Sequence, residues 1–271
     1  MIRTGSVTGL ALALALAGCG GSPPRQVGPQ LTIVSLNPCT DAILHEVAAP
    51  GQLLAISHYS KDPGASSMEA EDAARYRATG GSVEEVLALD PDVVVASTYL
   101  APATRAALDD LGLRVVQFGG VASVEESIAQ VRELAALAGH EDKGEMLVVR
   151  IEAALDDIQS SEGIEVVLWQ PGGIVAGEAA LVSDVLRRAG FDSYAWKRGL
   201  QQADYLPLEQ VLADPPELLL VAGRGVGQRH PSLDEIEAMQ REPFDTRLIY
   251  CGGPTIIRSA ERLARIKAAA R

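Results

Sequence analysis

A short pattern that occurs twice in this chain limits the folds that the chain can adopt. Residues 83–96, VEEVLALDPDVVVA, align without a gap on residues 208–221, LEQVLADPPELLLV. Each copy predicts a short helix, a turn at a proline, and an apolar strand of the kind that is buried on both faces of a parallel sheet. A repeated unit this far apart predicts two similar α/β lobes with a cleft between them.

The rest of the chain alternates strands and helices, which predicts mostly parallel sheets. The helical pattern of Lys143–Gln159 has apolar positions separated by charges, so we predict that it is a single long helix joining the lobes. A last strand is predicted at Leu248–Cys251, before a C-terminal helix. The predicted domains are an N-terminal lobe at 31–140, an inter-lobe helix at 141–162 and a C-terminal lobe at 163–271.

The beginning of the chain does not belong to this fold. Arg3, the Leu/Ala run Leu10–Leu16 and the small residues after it predict a signal peptide at 1–18. Leu16-Ala17-Gly18-Cys19 resembles the bacterial lipobox, which implies cleavage before Cys19 and a lipid on its sulfur. The alternative is an ordinary secretory signal with a coincidental cysteine. Residues 19–30 are rich in Gly and Pro and predict a flexible tether.

The charge of the chain excludes some classes of partner. With a net charge of −13, the protein is not expected to bind nucleic acid or to adsorb on anionic lipid through basic patches. Contact with a membrane is therefore predicted through the lipid anchor only. Cys39 and Cys251 could pair in an oxidising compartment or remain two buried thiols, and the sequence leaves both possibilities open.

The stretch LTIVSLNPCTD, residues 31–41, predicts a strand, a tight turn and a helix start. Asn37 suits the helix N-cap, and Pro38 suits the first helical position. In an open α/β sheet this turn lies at the carboxyl ends of the strands, where ligands usually bind. The simpler interpretation is that Asn-Pro only ends a strand and caps a helix.

Three features together resemble the substrate-binding proteins of metal-chelate ABC importers, which deliver cobalamin and iron–siderophore complexes. They are VSLNPCTD at 34–41, SHYS at 57–60 and the paired helix–strand units, and the resemblance covers roughly residues 31–266. It implies two Rossmann-like lobes joined by one rigid helix, a monomer, and a location in the periplasm with a lipid anchor in a bacterial membrane. The implied partners are an ABC permease with its ATPase.

The resemblance also implies a function for the repeated glutamates. In this family one exposed glutamate on each lobe docks into arginine pockets of the permease, and Glu84 and Glu209 stand at the matching positions. A solvated glutamate at a helix start is the alternative for either residue alone.

The predicted ligand site lies between the lobes, at the ends of the strands. Asn37 and Cys39 are expected at its floor, and Tyr99 and Trp169 are placed there because each follows or ends a strand. By resemblance, Tyr59 aligns with an aromatic residue that touches ligand in cobalamin-binding members, and Trp196 falls in a segment that lines their cleft. Trp169 could instead belong to the core.

One cation is predicted in this site, and it bears on the cargo. Arg258 could offer its planar guanidinium to a carboxylate, phosphate or amide oxygen. An aromatic cleft with a single arginine favours cobalamin or another corrinoid, followed by an iron–siderophore complex and then heme. Several converging arginines would favour an anionic siderophore. The ligand is thus predicted to be a cobalt or iron chelate, with no covalent cofactor apart from the lipid at Cys19.

A metal site made by the protein and an enzymatic function are weaker alternatives. No His or Cys pair has the close spacing of metal ligands, so we predict no protein-held metal. A cysteine-dependent extracytoplasmic enzyme would use Cys39 as nucleophile with His45 or His58 as base. The loop Gly223–Gly227 lacks the spacing of a dinucleotide-binding motif. We predict a receptor without catalytic residues.

Overall fold

The computed structural model describes residues 30–158 and 163–269. The predicted signal peptide, the predicted lipidation site Cys19 and almost all of the predicted tether lie outside the described residues, as does the predicted end of the inter-lobe helix at 159–162.

The N-terminal lobe is built on a parallel sheet of five strands in the order β3-β2-β1-β4-β5. The strands are β1 (Ile33–Ser35), β2 (Leu53–Ser57), β3 (Arg77–Thr79), β4 (Val93–Ser97) and β5 (Arg114–Phe118). The helices between them are α1 (Pro38–Val47), α2 (Ala70–Ala74), α3 (Val83–Leu87) and α4 (Pro102–Asp110).

The C-terminal lobe has a parallel sheet of four strands in the order β7-β6-β8-β9. The helices α5 (Val124–Ala138) and α6 (Glu141–Asp156) lead into it. Its strands are β6 (Ile164–Trp169), β7 (Phe191–Ser193), β8 (Leu218–Ala222) and β9 (Gln240–Phe244), and its helices are α7 (Leu181–Arg188), α8 (Tyr194–Lys197), α9 (Leu208–Ala213) and α10 (Pro254–Ala269). The predicted α/β class with two parallel sheets is confirmed.

The repeated sequence forms the same unit in both lobes. Residues 83–96 are α3 and β4, and residues 208–221 are α9 and β8. β4 lies beside β1, the first strand of its lobe, and β8 lies beside β6, the first strand of the second lobe. The internal repeat therefore reflects a repeated topology.

The helices α5 and α6 connect the two sheets. The Ser123 hydroxyl caps α5, and Gly139, with φ of 73°, ends it in the left-handed conformation that glycine adopts without strain. The predicted joining helix corresponds to α6, whose 16 residues extend about 24 Å. It packs against α5, against α1 of the first lobe and against α10 of the second lobe, so both lobes are braced on one helix pair.

Each sheet separates two hydrophobic cores. Val93 and Val95 point into a core that also contains residues of both lobes and of α5, α6 and α10, and we call it the shared core. Val94, on the opposite face, belongs to a core of the N-terminal lobe alone. In β8, Leu220 likewise enters the shared core, whereas Leu219 enters a core of the C-terminal lobe. Successive residues of a strand point to opposite faces of the sheet, so each of these all-apolar strands is buried on both of its faces.

The strand predicted at Leu248–Cys251 is wrong. The last strand is β9, with the sequence QREPF, and Thr246–Leu248 forms a 3-10 turn. β9 lies at the edge of its sheet, where alternate side chains are exposed and a proline is tolerated. The sequence of β9 contains charged residues and no apolar run, so the apolar pattern did not predict this strand.

Candidate functional site

The candidate site is formed by the segments that follow the strands of both sheets. All carboxyl ends of a parallel sheet lie along one edge, which is where open α/β sheets bind ligands. In the first lobe this edge carries Asn37, Tyr59 and Tyr99, which follow β1, β2 and β4. In the second lobe it carries Gln170, Arg224 and Arg247, which follow β6, β8 and β9. Trp196, on α8, lies away from this edge, because the adjacent Lys197 and Arg198 pair with Glu165 near the start of β6, and Arg198 also pairs with Asp214 just before β8.

A disulfide bond brings the two lobes together at the floor of this site. Cys39, in the first turn of α1, is bonded to Cys251, just before α10, and their Cα atoms are 5.0 Å apart. Beside it, the Gly253 N–H donates to the Ser127 hydroxyl of α5 at 2.8 Å. The pairing that the sequence left open is thus present. A disulfide sulfur offers no thiolate, so the interpretation of Cys39 as a nucleophile is contradicted.

Asn37 holds the start of α1 beside this bond. Its side-chain oxygen accepts a hydrogen bond from the Cys39 N–H at 3.0 Å, as expected of an N-cap residue. Both predicted floor residues are half-buried where the lobes meet.

Three predicted aromatic residues are exposed, and two of them, Tyr59 and Tyr99, lie at the carboxyl edge of the first sheet. The exposed fractions are 54% for Tyr59, 90% for Tyr99 and 58% for Trp196. The His58 ring lies 4.0 Å from the Tyr59 ring, measured between centroids, and its Nδ1 is 3.3 Å from the Thr79 carbonyl oxygen. The predicted side chains can therefore offer apolar faces to a large ligand.

Trp169 is not among them, and its prediction as a ligand residue needs correction. Its side chain is 2% exposed, and its indole N–H donates to the Leu206 carbonyl at 2.9 Å. Val166 and Leu168 point into the shared core, so the alternation of the strand directs Trp169 into the core of the C-terminal lobe. The core interpretation is the correct one.

Tyr250 is an aromatic residue of the site that the sequence analysis missed. It is 64% exposed, and its hydroxyl donates to the Gln170 side-chain oxygen at the end of β6. Burial of the phenol group raises the pKa of Tyr250, which keeps it a hydrogen-bond donor. It was missed because its segment was predicted to be a strand.

Arginines are more numerous at this edge than the sequence analysis predicted. A groove of about 770 Å³ lies at the ends of β8 and β9 and beside α10. Its charged lining residues are Arg224, Arg247, Arg258, Arg262, Arg265, Glu69, Asp245 and Glu261. Arginines outnumber carboxylates there although the chain as a whole is acidic, so the groove favours an anionic group.

The arginines differ in how they are engaged. Arg258, predicted to face the ligand, forms an ion pair with Glu69 of the other lobe, and a quarter of its side chain is exposed. Arg247 pairs with Asp245 at 2.8 Å, and this hydrogen bonding raises the pKa of Arg247. Arg224 is exposed and makes no ion pair within the part of the chain that the structure describes.

Arg224 could have been found from the sequence. It follows the buried strand Leu218–Ala222 at the position where ligand-binding loops begin, but the glycines around it were considered only as a dinucleotide motif. Arg224 is therefore the cation of the site that best meets the requirement for accessible charge, whereas Arg247 is held by Asp245 and lies 3.7 Å from Glu69.

Glu84 and Glu209 occupy equivalent places on the two lobes. Each lies in the first turn of its helix, α3 or α9, and each is exposed. Neither side chain makes a hydrogen bond or ion pair with another described residue. The neighbouring Glu85 instead accepts hydrogen bonds from the Gly80 N–H at 2.7 Å and the Thr79 hydroxyl at 3.0 Å. At these two helix starts, Glu84 and Glu209 are thus the glutamates whose carboxylates are available to a partner.

Two kinds of feature were not found within residues 30–158 and 163–269. No helix there is long and apolar enough to cross a membrane. No group of three or more His, Cys, Asp or Glu residues there could hold a metal ion.

Comparison with solved structures identifies the same fold in several binding proteins. The periplasmic heme-binding protein HutB of Vibrio cholerae has a TM-score of 0.73 at 14% identity, with 88% of this chain and 98% of that chain covered. The heme-binding protein RhuT from Roseiflexus sp. RS-1, in apo form, has a TM-score of 0.71 at 20% identity, covering 89% and 100%. The vitamin B12 binding protein BtuF of Vibrio cholerae has a TM-score of 0.67 at 17% identity, covering 90% and 99%.

These identities establish a shared fold. A search of curated protein sequences gave no significant match. The family model described as periplasmic binding protein matches residues 33–248, which contain both sheets and the helices between them. The chain therefore belongs to the periplasmic binding protein family.

Proposed function

We propose that this protein is the substrate-binding component of an ABC importer, and that it captures a metal chelate in the periplasm and delivers it to a membrane permease. One observation carries the proposal. Exposed aromatic side chains and arginines stand at the carboxyl edges of both sheets, around a floor where a disulfide joins the lobes. Such a surface suits the binding of a large ligand, and the match to the periplasmic binding protein family supports binding without turnover as the proposed activity.

Within the class of metal chelates, heme is the cargo that these side chains favour. The flat faces of Tyr59, Tyr99 and Tyr250 suit a planar macrocycle. The guanidinium groups of Arg224 and Arg247 suit its carboxylates. A tyrosine phenolate is also one of the protein ligands known for heme iron, and Tyr59, Tyr99 and Tyr250 are the exposed candidates at this site. HutB and RhuT, which share the fold, are heme-binding proteins.

Cobalamin is the second candidate and the one that the sequence favoured. The specific observation for it is that Tyr59 and Trp196 are both exposed, at the two positions that the family resemblance assigned to a corrinoid. BtuF, which also shares the fold, binds vitamin B12. The arginines of the groove would form fewer charge-assisted hydrogen bonds with cobalamin than with heme, because amide side chains surround the corrin ring and its charge is small. An iron–siderophore complex with acidic groups would use the same arginines.

The proposal extends to how the protein is held and how it docks. A lipid on Cys19 would anchor the chain to a bacterial membrane, with residues 19–30 as the tether and 31–140, 141–162 and 163–271 as the lobes and their connection. Glu84 and Glu209 would then meet arginines of the permease, one from each lobe of a monomer. Exposed ion pairs of this kind contribute little stability but orient two proteins.

The test uses the chain without its lipid anchor, purified and titrated by calorimetry with heme, cobalamin, cobinamide and a ferric siderophore. We expect stoichiometric binding of heme, with a shifted absorption band, and no chemical conversion. Replacing Arg224 and Arg247 together by Gln should weaken heme binding at least tenfold, because a charge-assisted hydrogen bond contributes about 1.5–3 kcal/mol. The matched control is Arg132→Gln, an exposed arginine that pairs with Glu145 on the inter-lobe helices.

The outcomes separate the candidates. Cobalamin binding without heme binding would show that the cargo is a corrinoid. An unchanged heme affinity of the double arginine variant would show that Arg224 and Arg247 do not bind the ligand. Conversion of any of these compounds would contradict the receptor function.

A further inference from the structure

A buried carboxylate lies directly behind the candidate site and has no part in the function proposed so far. Asp41, in the first turn of α1, is 0% exposed. Its Oδ2 accepts a hydrogen bond from the Ser57 N–H at 2.9 Å and another from the Ser60 hydroxyl at 2.6 Å. These two groups belong to the segment that follows β2, so one oxygen atom ties the start of α1 to the neighbouring loop.

That loop is the turn that carries Tyr59. His58–Lys61 form a 3-10 turn, and the Ser57 hydroxyl caps it by accepting from the Tyr59 N–H at 3.3 Å. At its far end, the Lys61 amine donates to the Tyr76 carbonyl at 2.7 Å. Ser57 and Ser60 are buried while the Tyr59 ring is half exposed. The backbone of the turn is therefore fixed from behind, and the ring projects forward.

No cation compensates the charge of Asp41 within the part of the chain that the structure describes. Six histidine, lysine and arginine side chains on or around α1 have other partners. These are His58 with the Thr79 carbonyl, Lys61 with the Tyr76 carbonyl, His45 with Tyr76, Lys143 with the Ala48 carbonyl, Arg150 with Glu46, and Arg258 with Glu69. The nearby helix N-terminus gives partial compensation.

The protonation of Asp41 is consequently unusual. Burial, the largest cause, raises the pKa of Asp41 to about 7, against the opposing effect of hydrogen bonds from Ser35, Ser60 and Ser57. An uncharged residue would be cheaper to bury at this place. The useful contribution of Asp41 lies therefore in the turn that it holds.

We propose that Asp41 is a positioning residue, which fixes the turn Ser57–Ser60 and thereby sets the place of the Tyr59 ring against the bound ligand. The part of this inference that concerns the ligand rests on the proposed binding function. The part that concerns the turn does not, and the two are tested separately.

The first measurement follows the turn without any ligand. Amide hydrogen exchange of residues 57–61 should be at least tenfold faster in Asp41→Ala than in the wild type, and close to the wild-type rate in Asp41→Asn, which retains an acceptor oxygen. The matched control is Asp92→Ala. Like Asp41 Oδ2, Asp92 Oδ2 accepts two hydrogen bonds, which come from the Thr32 N–H and the Thr32 hydroxyl. Asp92 precedes β4 and therefore lies at the opposite edge of the sheet from residues 57–61. It should leave exchange at 57–61 unchanged.

The second measurement follows ligand affinity, with heme and cobalamin as the probes. Asp41→Ala should bind the accepted probe at least tenfold more weakly, whereas Asp41→Asn and Asp92→Ala should bind within about threefold of the wild type. The ionised carboxylate accepts stronger hydrogen bonds, so wild-type affinity should rise by about threefold between pH 6 and pH 8, and Asp41→Asn should lack this dependence. His58→Gln controls for the neighbouring imidazole and should keep the pH dependence of the wild type.

Each outcome decides a part of the inference. A folded Asp41→Ala with wild-type exchange at 57–61 overturns it. Faster exchange with unchanged affinity for an accepted probe shows that Asp41 holds the turn but does not position the ligand contact, which also overturns it. If Asp41→Ala does not fold, Ser60→Ala removes one of the two hydrogen bonds and should give an intermediate effect. If the wild type binds neither probe, the proposed cargo fails, and exchange alone still decides whether Asp41 holds the turn.

Discussion

The two lobes have the same strand order around the repeated helix–strand unit, yet their loops have different chemistry. In the N-terminal lobe the loops carry tyrosines, and a buried carboxylate lies behind them. In the C-terminal lobe they carry glycines and the arginines Arg224 and Arg247, with Tyr250 as an exposed aromatic residue. The strands are set by burial on both faces, which leaves few choices of residue. The loops are free to differ, and they are where a site can be built.

If the lobes are equivalent in docking, charge reversal in either one should have a similar effect, and this is the largest effect that we expect. Glu84→Lys and Glu209→Lys should each reduce the stimulation of the importer ATPase, and the double variant should abolish it, because each glutamate would face an arginine pocket. The measurement is ATPase activity of the reconstituted importer with saturating ligand.

The control for this comparison is Glu133→Lys, which reverses an exposed charge on α5, away from the repeated units. Ligand affinity should be unchanged in all four variants. Full stimulation by the double variant would contradict docking through the repeat, and a loss confined to one single variant would show that the lobes dock unequally.

The connection between the lobes gives the largest expected effect on stability. Replacing Cys39 or Cys251 by Ala removes the only disulfide within residues 30–158 and 163–269. Each variant should lose about 2–5 kcal/mol in the free energy of unfolding. The double variant should lose no more than either single one, because one bond is removed in each case. Denaturant unfolding with Cys19 absent measures this, and additive losses would contradict the bond.

The parts of the fold that could be predicted from the sequence are those in which burial dictates the residue type. The central strands β1, β4, β6 and β8 are apolar runs and were predicted. The strands β3, β7 and β9 lie at sheet edges, with the sequences RAT, FDS and QREPF, and gave no such signal. An edge strand is half exposed, so its composition approaches that of a loop.

The site was predictable in the same uneven way. Tyr59 and Tyr99 lie at the carboxyl edge, as expected of residues that follow strands, and their contact with ligand stays a prediction. Trp169 was misplaced because a sequence cannot show which face of a doubly buried strand its last residue occupies. The pairing of Cys39 with Cys251 and of Arg258 with Glu69 depends on how the lobes meet. The packing of the shared core sets how the lobes meet, and a local sequence pattern does not predict that packing.

A buried aspartate in each lobe has a different electrostatic environment. Asp41 in the first lobe lacks a cation, whereas Asp184 on α7 of the second lobe pairs with Arg187 at 2.7 Å and Arg188 at 3.1 Å. Asp184 also accepts the Val124 N–H at 2.9 Å, at the start of α5. Both oxygens of the Asp184 carboxylate therefore have partners, and the residue joins the second lobe to the inter-lobe helices.

Asp184→Ala should destabilise the protein by about 2–4 kcal/mol, because it leaves a buried N–H and two guanidinium groups without their acceptor. The measurement is denaturant unfolding at neutral pH. Glu125→Gln, which weakens an exposed pair with Arg188, is the matched control and should cost less than about 1 kcal/mol. Equal losses in the two variants would show that the burial of Asp184 does not matter.

The smallest expected effect on stability has the opposite sign. In the folded protein burial raises the pKa of Asp41 from 3.8 to about 7, so between these two pH values the folded chain binds a proton that the unfolded chain has released. The wild type therefore loses stability as the pH rises from about 4 to about 7, and the loss remains above that. Asn does not titrate, so Asp41→Asn should be close to the wild type near pH 4 and more stable at pH 8, by on the order of 1–3 kcal/mol. Unfolding curves across this range measure the difference. A variant that is less stable than the wild type at pH 8 would mean that the ionised carboxylate is compensated as fully as that of Asp184, and the contrast between the two lobes would not hold.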